Sequence, residues 1–119
     1  MIVKAKDLKK TAPENLREGK GVINMTHFLN PEDSYDTGRL FSIATIPPGS
    51  SIGKHDHINE FEIYYMLEGT ANVMDNGQPG VLEAGDCMVC KDGDNHSIEN
   101  VSDKDAKVLF VVLFTKKTQ

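Results

Sequence analysis

Short strand-like segments separated by glycine and proline turns constrain the fold of this 119-residue chain more than any other feature. Residues 39–46 alternate polar and apolar side chains and stop at Pro47-Pro48-Gly49. Asp75-Asn76-Gly77 predicts a hairpin, because Asn-Gly accepts the positive φ of a type I′ turn. Many short strands of this kind predict an all-β sandwich or barrel. The other predicted strands are 22–29, 61–67, 70–74, 81–82, 86–90 and 108–115, and a short helical turn is predicted at Asn30-Pro31.

Composition and charge exclude several classes of protein. Hydrophobic residues are 39% and charged residues 26%, which predicts one globular domain over residues 1–119. The net charge is −5 and no basic stripe is present, so we expect no nucleic-acid partner. No run of about 18 apolar residues occurs, so we expect no membrane association. The first ten residues are charged throughout and lack a signal-peptide core, which favours a cytoplasmic location.

Three histidines and a glutamate form a candidate metal site. On a strand, His55 and His57 point the same way, whereas Glu62 has odd spacing from them. A bend or bulge at residues 58–60 would bring Glu62 round to the same side. His96 follows the turn signal at 91–95 and should begin a new strand. Imidazole and carboxylate donors suit a divalent first-row metal.

Two sequence patterns around these residues resemble those of the cupin family. The first pattern is matched by Gly49, His55, His57, Glu62 and Gly69. The second is matched by Gly85, Gly93, His96 and Asn100, with Lys91 where the family usually has proline. The two patterns cover about half of the chain, residues 49–100, in the family's order. Two long patterns are far more specific than one His-x-His.

The resemblance implies a fold and a metal. The fold would be a double-stranded β-helix, or jelly-roll barrel, holding one divalent ion inside. The implied ion is manganese or iron, with nickel, cobalt or zinc as alternatives. The alternative to a metal site is a set of surface histidines, or a cupin that has lost its metal. By the resemblance, the metal ligands are His55, His57, Glu62 and His96.

The resemblance is greatest to small single-domain cupins, which are often called oxalate decarboxylase-like. True oxalate decarboxylases have two domains and carry an arginine three residues before the first ligand histidine, where this chain has Ile52. We therefore expect inefficient oxalate decarboxylation. The implied ligand is a small anionic acid. The protein would be a metal-dependent lyase, oxygenase or isomerase acting on a small carboxylate or sugar acid, or a ligand-binding or sensing cupin with a structural metal.

Three further residues are candidates for catalysis. Tyr64 shares the inward face of Glu62 and could donate a hydrogen bond to a ligand or simply pack in the core. Arg39 could reach the cavity or lie at the surface. Glu60 is a rival carboxylate ligand, or a residue of the rim. His27 lies outside both patterns and is predicted at the surface or in an interface.

Small cupins commonly form homodimers through N-terminal strands, which would involve residues 1–30 here. The long apolar strand at 108–114 supports a homodimer, because association would cap an exposed sheet edge. The strand is also predicted to be covered on both faces. The alternative is a monomer whose N-terminal segment packs on its own barrel.

Cys87 and Cys90 form a Cys-x-x-Cys pair in a predicted strand. Residues at i and i+3 of a strand face opposite ways, so the two sulfurs should neither share an ion nor form a disulfide. We predict two buried thiols that behave as small apolar residues.

Overall fold

The computed structural model describes residues 1–116, in which ten strands and three short 3₁₀ turns alternate with loops. The 3₁₀ turns are Ala5–Asp7, Leu16–Glu18 and Pro31–Ser34. The strands are β1 (Lys9–Thr11), β2 (Asn24–His27), β3 (Gly38–Ile46), β4 (Ser51–Asp56), β5 (Glu60–Glu68), β6 (Thr70–Asp75), β7 (Gln78–Glu83), β8 (Cys87–Cys90), β9 (Asn95–Glu99) and β10 (Ala106–Phe114).

The strands form two antiparallel sheets. The larger sheet has the order β1-β2-β3-β10-β5-β8, and the smaller has the order β4-β9-β6-β7. Apolar side chains from both sheets form one buried cluster, including Met66 and Phe110 from the larger sheet and Ile52, Val73 and Ile98 from the smaller. The prediction of an all-β jelly-roll fold is confirmed.

Most strand and turn predictions agree with the structure to within a few residues. Asn76 and Gly77 have φ of 49° and 86°, as the predicted hairpin turn requires. The predicted helical turn at Asn30-Pro31 is the 3₁₀ turn Pro31–Ser34, although no side chain caps it. The predicted strand 22–29 is shorter, because Val22 makes only an isolated bridge to Glu14.

The predictions for β10 were partly wrong. β10 lies between β3 and β5 inside the larger sheet, so it is not an edge that association could cap. Val108, Phe110 and Val112 are buried, whereas Leu109 and Val111 on the other face are only half-buried. The apolar run therefore fills one face of a central strand. It gives no support for a homodimer.

The N-terminal strands extend the protein's own larger sheet. β1 pairs with β2, and β2 pairs with β3, which places β1 at one edge. The N-terminal segment thus packs on the protein's own larger sheet, and this placement does not decide between a monomer and a homodimer. Within residues 1–116, no helix has the length and apolar character needed to cross a membrane.

The two cysteines lie on opposite faces of β8, as predicted. Cys90 is buried, but Cys87 is exposed, so the prediction of two buried thiols was wrong for Cys87. Met88 and Cys90 face the core, whereas Cys87 and Val89 lie on the outward face of this edge strand. Burial, with the negative charges of Asp94 and Glu62, raises the pKa of Cys90 to about 12.

Candidate metal centre

The four predicted ligands come from three strands and one bend. β4 supplies His55, β5 supplies Glu62 and β9 supplies His96, while His57 lies in the break between β4 and β5. His55 pairs directly opposite His96 across the β4–β9 ladder. The break, predicted at 58–60, spans residues 57–59, and Asn59 has φ of 61°. It turns the chain so that Glu62 points to the same side as the histidines.

The four side chains converge on one point inside the fold. One potential ligand atom from each residue lies within 4.8 Å of the others. His96 Nε2 lies 3.0 Å from the Nε2 atoms of both His55 and His57, and 2.9 Å from Glu62 Oε1. Glu62 Oε1 lies 3.0 Å from His57 Nε2 and 3.7 Å from His55 Nε2.

These distances fit the donor spacing of a metal site. Two ligand atoms that are each about 2.1 Å from one ion, at right angles to each other, lie about 3.0 Å apart. Three imidazole nitrogens and one carboxylate oxygen are also the donor types that a first-row divalent ion takes. The residues present therefore fit such an ion.

The outer nitrogens of two histidines make contacts that orient their rings. His55 Nδ1 lies 2.7 Å from the Gly53 carbonyl oxygen, and His57 Nδ1 lies 2.5 Å from Glu60 Oε2. A proton on each Nδ1 would be donated to these acceptors, which leaves the Nε2 lone pair facing inward for a metal. His96 Nδ1 is buried and has no hydrogen-bond partner among residues 1–116.

The electrostatics of the cluster favour an ionised Glu62. Burial raises the pKa of Glu62, but its close contacts with the three histidine rings lower this pKa by more, so that the net pKa lies well below the usual carboxyl value. Burial lowers the pKa of His57, whereas hydrogen bonds to Glu62 and Glu60 raise it above its usual value overall. Burial lowers the pKa of His96, which is fully buried. The site therefore contains a carboxylate that is available as a metal ligand.

Glu60 lies behind His57 and outside the four-residue cluster. Its carboxylate accepts from His57 on one side and from Arg39 on the other, with Arg39 Nε at 2.7 Å and Nη2 at 2.6 Å. The hydrogen bond from Arg39, opposed by burial, lowers the pKa of Glu60. Sequence reasoning placed Glu60 as a ligand or a rim residue and missed its contact with His57, although their i, i+3 spacing was a signal.

Tyr64 packs inside the core beside the cluster. Its ring stacks between His96 and Phe110, with both centroid separations at 4.6 Å. Burial, followed by the charge of Glu62, raises the pKa of Tyr64 well above its usual value, and Arg17 acts in the opposite direction. The phenol is therefore a hydrogen-bond donor at neutral pH.

A cavity of about 200 Å³ opens onto the cluster. Its lining includes His55, His57, Glu62 and Tyr64, together with Arg17 and Arg39. His27, predicted at the surface or in an interface, is half-buried in this lining, and its Nε2 lies 2.8 Å from Thr11 Oγ1. A larger groove of about 650 Å³ elsewhere contains none of the four candidate ligands. The smaller cavity is therefore the one that could bring a ligand to a metal.

Comparisons with known proteins agree with this architecture. The oxalate-binding protein of Thermotoga maritima is 40% identical over 113 residues, which is 95% of this chain and 93% of that protein. A crystal structure described as a predicted oxalate decarboxylase from Thermotoga maritima matches with a TM-score of 0.90 and 39% identity, over 96% of this chain and 99% of that one. The polyketide cyclase RemF from Streptomyces resistomycificus matches with a TM-score of 0.75 at 18% identity, over 100% and 82% of the two chains, which is a likeness of fold alone.

The sequence patterns are supported by a family match as well. The model of the cupin domain matches residues 42–112, a span that contains all four candidate ligands. This span is more than half of the chain, and the Thermotoga relative matches over nearly its whole length. The chain therefore belongs to the cupin family.

Proposed function

We propose that this protein holds one divalent metal ion with His55, His57, Glu62 and His96 and binds a small carboxylate anion beside it. The observation that carries the proposal is the convergence of these four donors beside a cavity that His55, His57 and Glu62 line. Nitrogen and oxygen donors suit manganese or iron, the ions we propose first. A divalent ion held there would supply positive charge and Lewis acidity toward an anion.

The charge of the site supports an anionic ligand. With neutral histidine rings, Glu62 contributes the single negative charge of the cluster, so a divalent ion would leave a net charge of +1. Arg39 cannot add to this charge, because Glu60 neutralises it. The relative from Thermotoga maritima is named for binding oxalate, which is a small anion of the same chemical class.

Several features support binding without efficient oxalate decarboxylation. That reaction needs a proton delivered to carbon and a balance for the charge that moves. Ile52, at the position where oxalate decarboxylases carry arginine, is buried and apolar. Glu60 is held by Arg39 and His57, and the phenol of Tyr64 keeps its proton. At neutral pH none of the three can deliver a proton, because Ile52 is apolar, Glu60 has a lowered pKa and is already ionised, and Tyr64 has a raised pKa and holds its proton tightly.

Metal analysis of purified variants tests the metal centre. We expect His55→Ala and His96→Ala to lose most of the metal that the wild-type protein retains, because each loses one of four donors. The matched control is His27→Ala, which removes a cavity histidine outside the cluster. Equal metal content in the wild-type protein and all three variants contradicts the proposal.

Calorimetry with oxalate tests the anion site. The metal-loaded protein should bind oxalate, and the metal-free protein should bind it much more weakly. Equal oxalate affinity with and without metal would contradict an anion site at the metal.

We also propose a homodimer that forms along β1, the edge strand of the larger sheet. An edge strand presents unpaired backbone groups that a second copy can pair with. Sedimentation velocity gives the mass directly. A monomer at micromolar concentration contradicts the proposal.

A further inference from the structure

A strained segment borders the cavity. Residues 15–19, which we call the strap, include the 3₁₀ turn Leu16–Glu18. Asn15, Arg17 and Glu18 have φ of 50°, 54° and 65°. Residues other than glycine rarely take these left-handed φ values, and such backbone strain often occurs at functional sites. The strap is therefore held in a conformation that its own sequence disfavours.

Two glycines allow the strap to lie directly on β4. A Cβ atom at Gly53 would lie 2.0 Å from the Arg17 carbonyl oxygen, and one at Gly19 would lie 2.2 Å from the Ser51 carbonyl oxygen. Leu16 packs against the hydrophobic core from the same segment. β4 also carries His55, so these contacts fix the strap relative to the candidate metal centre.

Arg17 is the cation of the cavity lining whose charge is not already balanced. Arg39 is paired with Glu60, and burial, together with the charge of Lys9, lowers the pKa of His27, so that His27 is neutral at pH 7. Arg17 lines the same cavity, and the ion pairs among residues 1–116 do not include it. The cavity thus has positive charge at the proposed metal and at Arg17.

The rest of the lining is mainly apolar. Such a surface favours a ligand with a carbon body rather than a purely polar anion. The cavity of about 200 Å³ has room for a short dicarboxylate such as succinate. The apolar lining residues include Leu16, Met25, Leu40, Ile52, Phe110 and Val112.

We infer that the ligand is a dicarboxylate with a short apolar spacer, with one carboxylate at the metal and the other on Arg17. This inference rests on the proposed function, because it needs an anion beside the metal. The arginine fork suits the second carboxylate, which it can bind through two hydrogen bonds. The two positive charges, one at each end, match the two charges of the ligand.

The test compares succinate with succinamate, which has the same shape but one carboxylate fewer. Both are titrated by calorimetry into the Mn²⁺-loaded full-length protein. We expect the wild-type protein to bind succinate about tenfold more tightly, since a charge-assisted hydrogen bond contributes about this much. Arg17→Gln should remove this preference, because it should weaken succinate binding far more than succinamate binding, whereas Arg17→Lys should keep part of it.

The matched control is Lys20→Gln, which removes a positive charge just after the strap. Lys20 pairs with Glu99 at 3.6 Å and lines the larger groove instead, so succinate binding should not change. The inferred role of Arg17 is wrong if the wild-type protein binds succinate and succinamate with equal affinity, or if Lys20→Gln weakens succinate binding as much as Arg17→Gln does. Either result would leave the proposed anion site at the metal unaffected. If the loaded protein binds neither acid nor oxalate, the proposed function itself fails.

Discussion

Glu60 should strengthen metal binding without touching the metal. Its carboxylate accepts from His57 Nδ1 at 2.5 Å, and two hydrogen bonds from Arg39 hold it in place. In Glu60→Ala, the His57 ring loses the acceptor that fixes its orientation and keeps its Nε2 lone pair facing inward. Removing such a partner of a ligand histidine typically costs about 10- to 100-fold in metal affinity, which is about 1.4–2.7 kcal/mol.

The size of the effect should depend on what replaces the carboxylate. Glu60→Gln keeps an oxygen that can accept from His57 but loses the ionic pairing with Arg39, so its loss should be smaller than that of Glu60→Ala. Arg39→Gln leaves the carboxylate in place and should have the smallest effect of the three. This order follows from how much of the hydrogen-bond acceptor for His57 each variant keeps.

Competition with a chromophoric chelator measures the affinities. Glu99→Gln is the matched control, because it removes one surface carboxylate that is not in contact with the cluster. Circular dichroism melts should accompany the titrations to confirm that each variant is folded. Wild-type affinity in folded Glu60→Ala, or an equal loss in Glu99→Gln, would refute the orienting role of Glu60.

Four other outcomes follow from the structure. Gly53→Ala should lower the free energy of unfolding by about 1–3 kcal/mol in a urea titration, because the new Cβ would meet the Arg17 backbone. The control Gly80→Ala should change it by no more than about 0.5 kcal/mol, because the nearest atom to that Cβ is 3.5 Å away. Equal losses in the two variants would argue against the close contact at Gly53. A thiol reagent at pH 7 should label Cys87 rapidly and Cys90 only after denaturation, because Cys90 is buried and its pKa is raised to about 12. Rapid labelling of both cysteines in the folded protein would contradict this prediction. Burial and the charge of Lys9 lower the pKa of His27 in the folded protein, so the unfolded chain binds the proton more readily and the stability should fall as the pH drops through about 6.5. Thermal melts of His27→Asn should show a smaller fall in stability over the same pH range. An identical pH profile in the wild-type protein and this variant would contradict the lowered pKa of His27. Metal-loaded protein given oxalate should release carbon dioxide and formate far more slowly than about 1 per second, and turnover at that rate would show that another group supplies the proton.

The sequence alone determined much of the fold and the composition of the site. Alternating apolar residues and turn signals such as Asn76-Gly77 act over a few residues, so they predicted most strands without knowledge of their partners. The two motifs identified all four members of the cluster, because their spacing follows from strand geometry and one bend. The family and the jelly-roll fold could therefore be predicted from local patterns.

The tertiary structure decided which distant residues meet. The contact of Arg39 with Glu60 joins β3 to β5, which do not pair with each other because β10 lies between them. The position of β10 inside the sheet could not be predicted from its own apolar run, which looks the same at an edge or in the centre. Arg17 reaches the cavity because two glycines, at the end of the strap and in β4, let the backbones touch. Such contacts depend on strand order and close packing, and a local sequence pattern specifies neither.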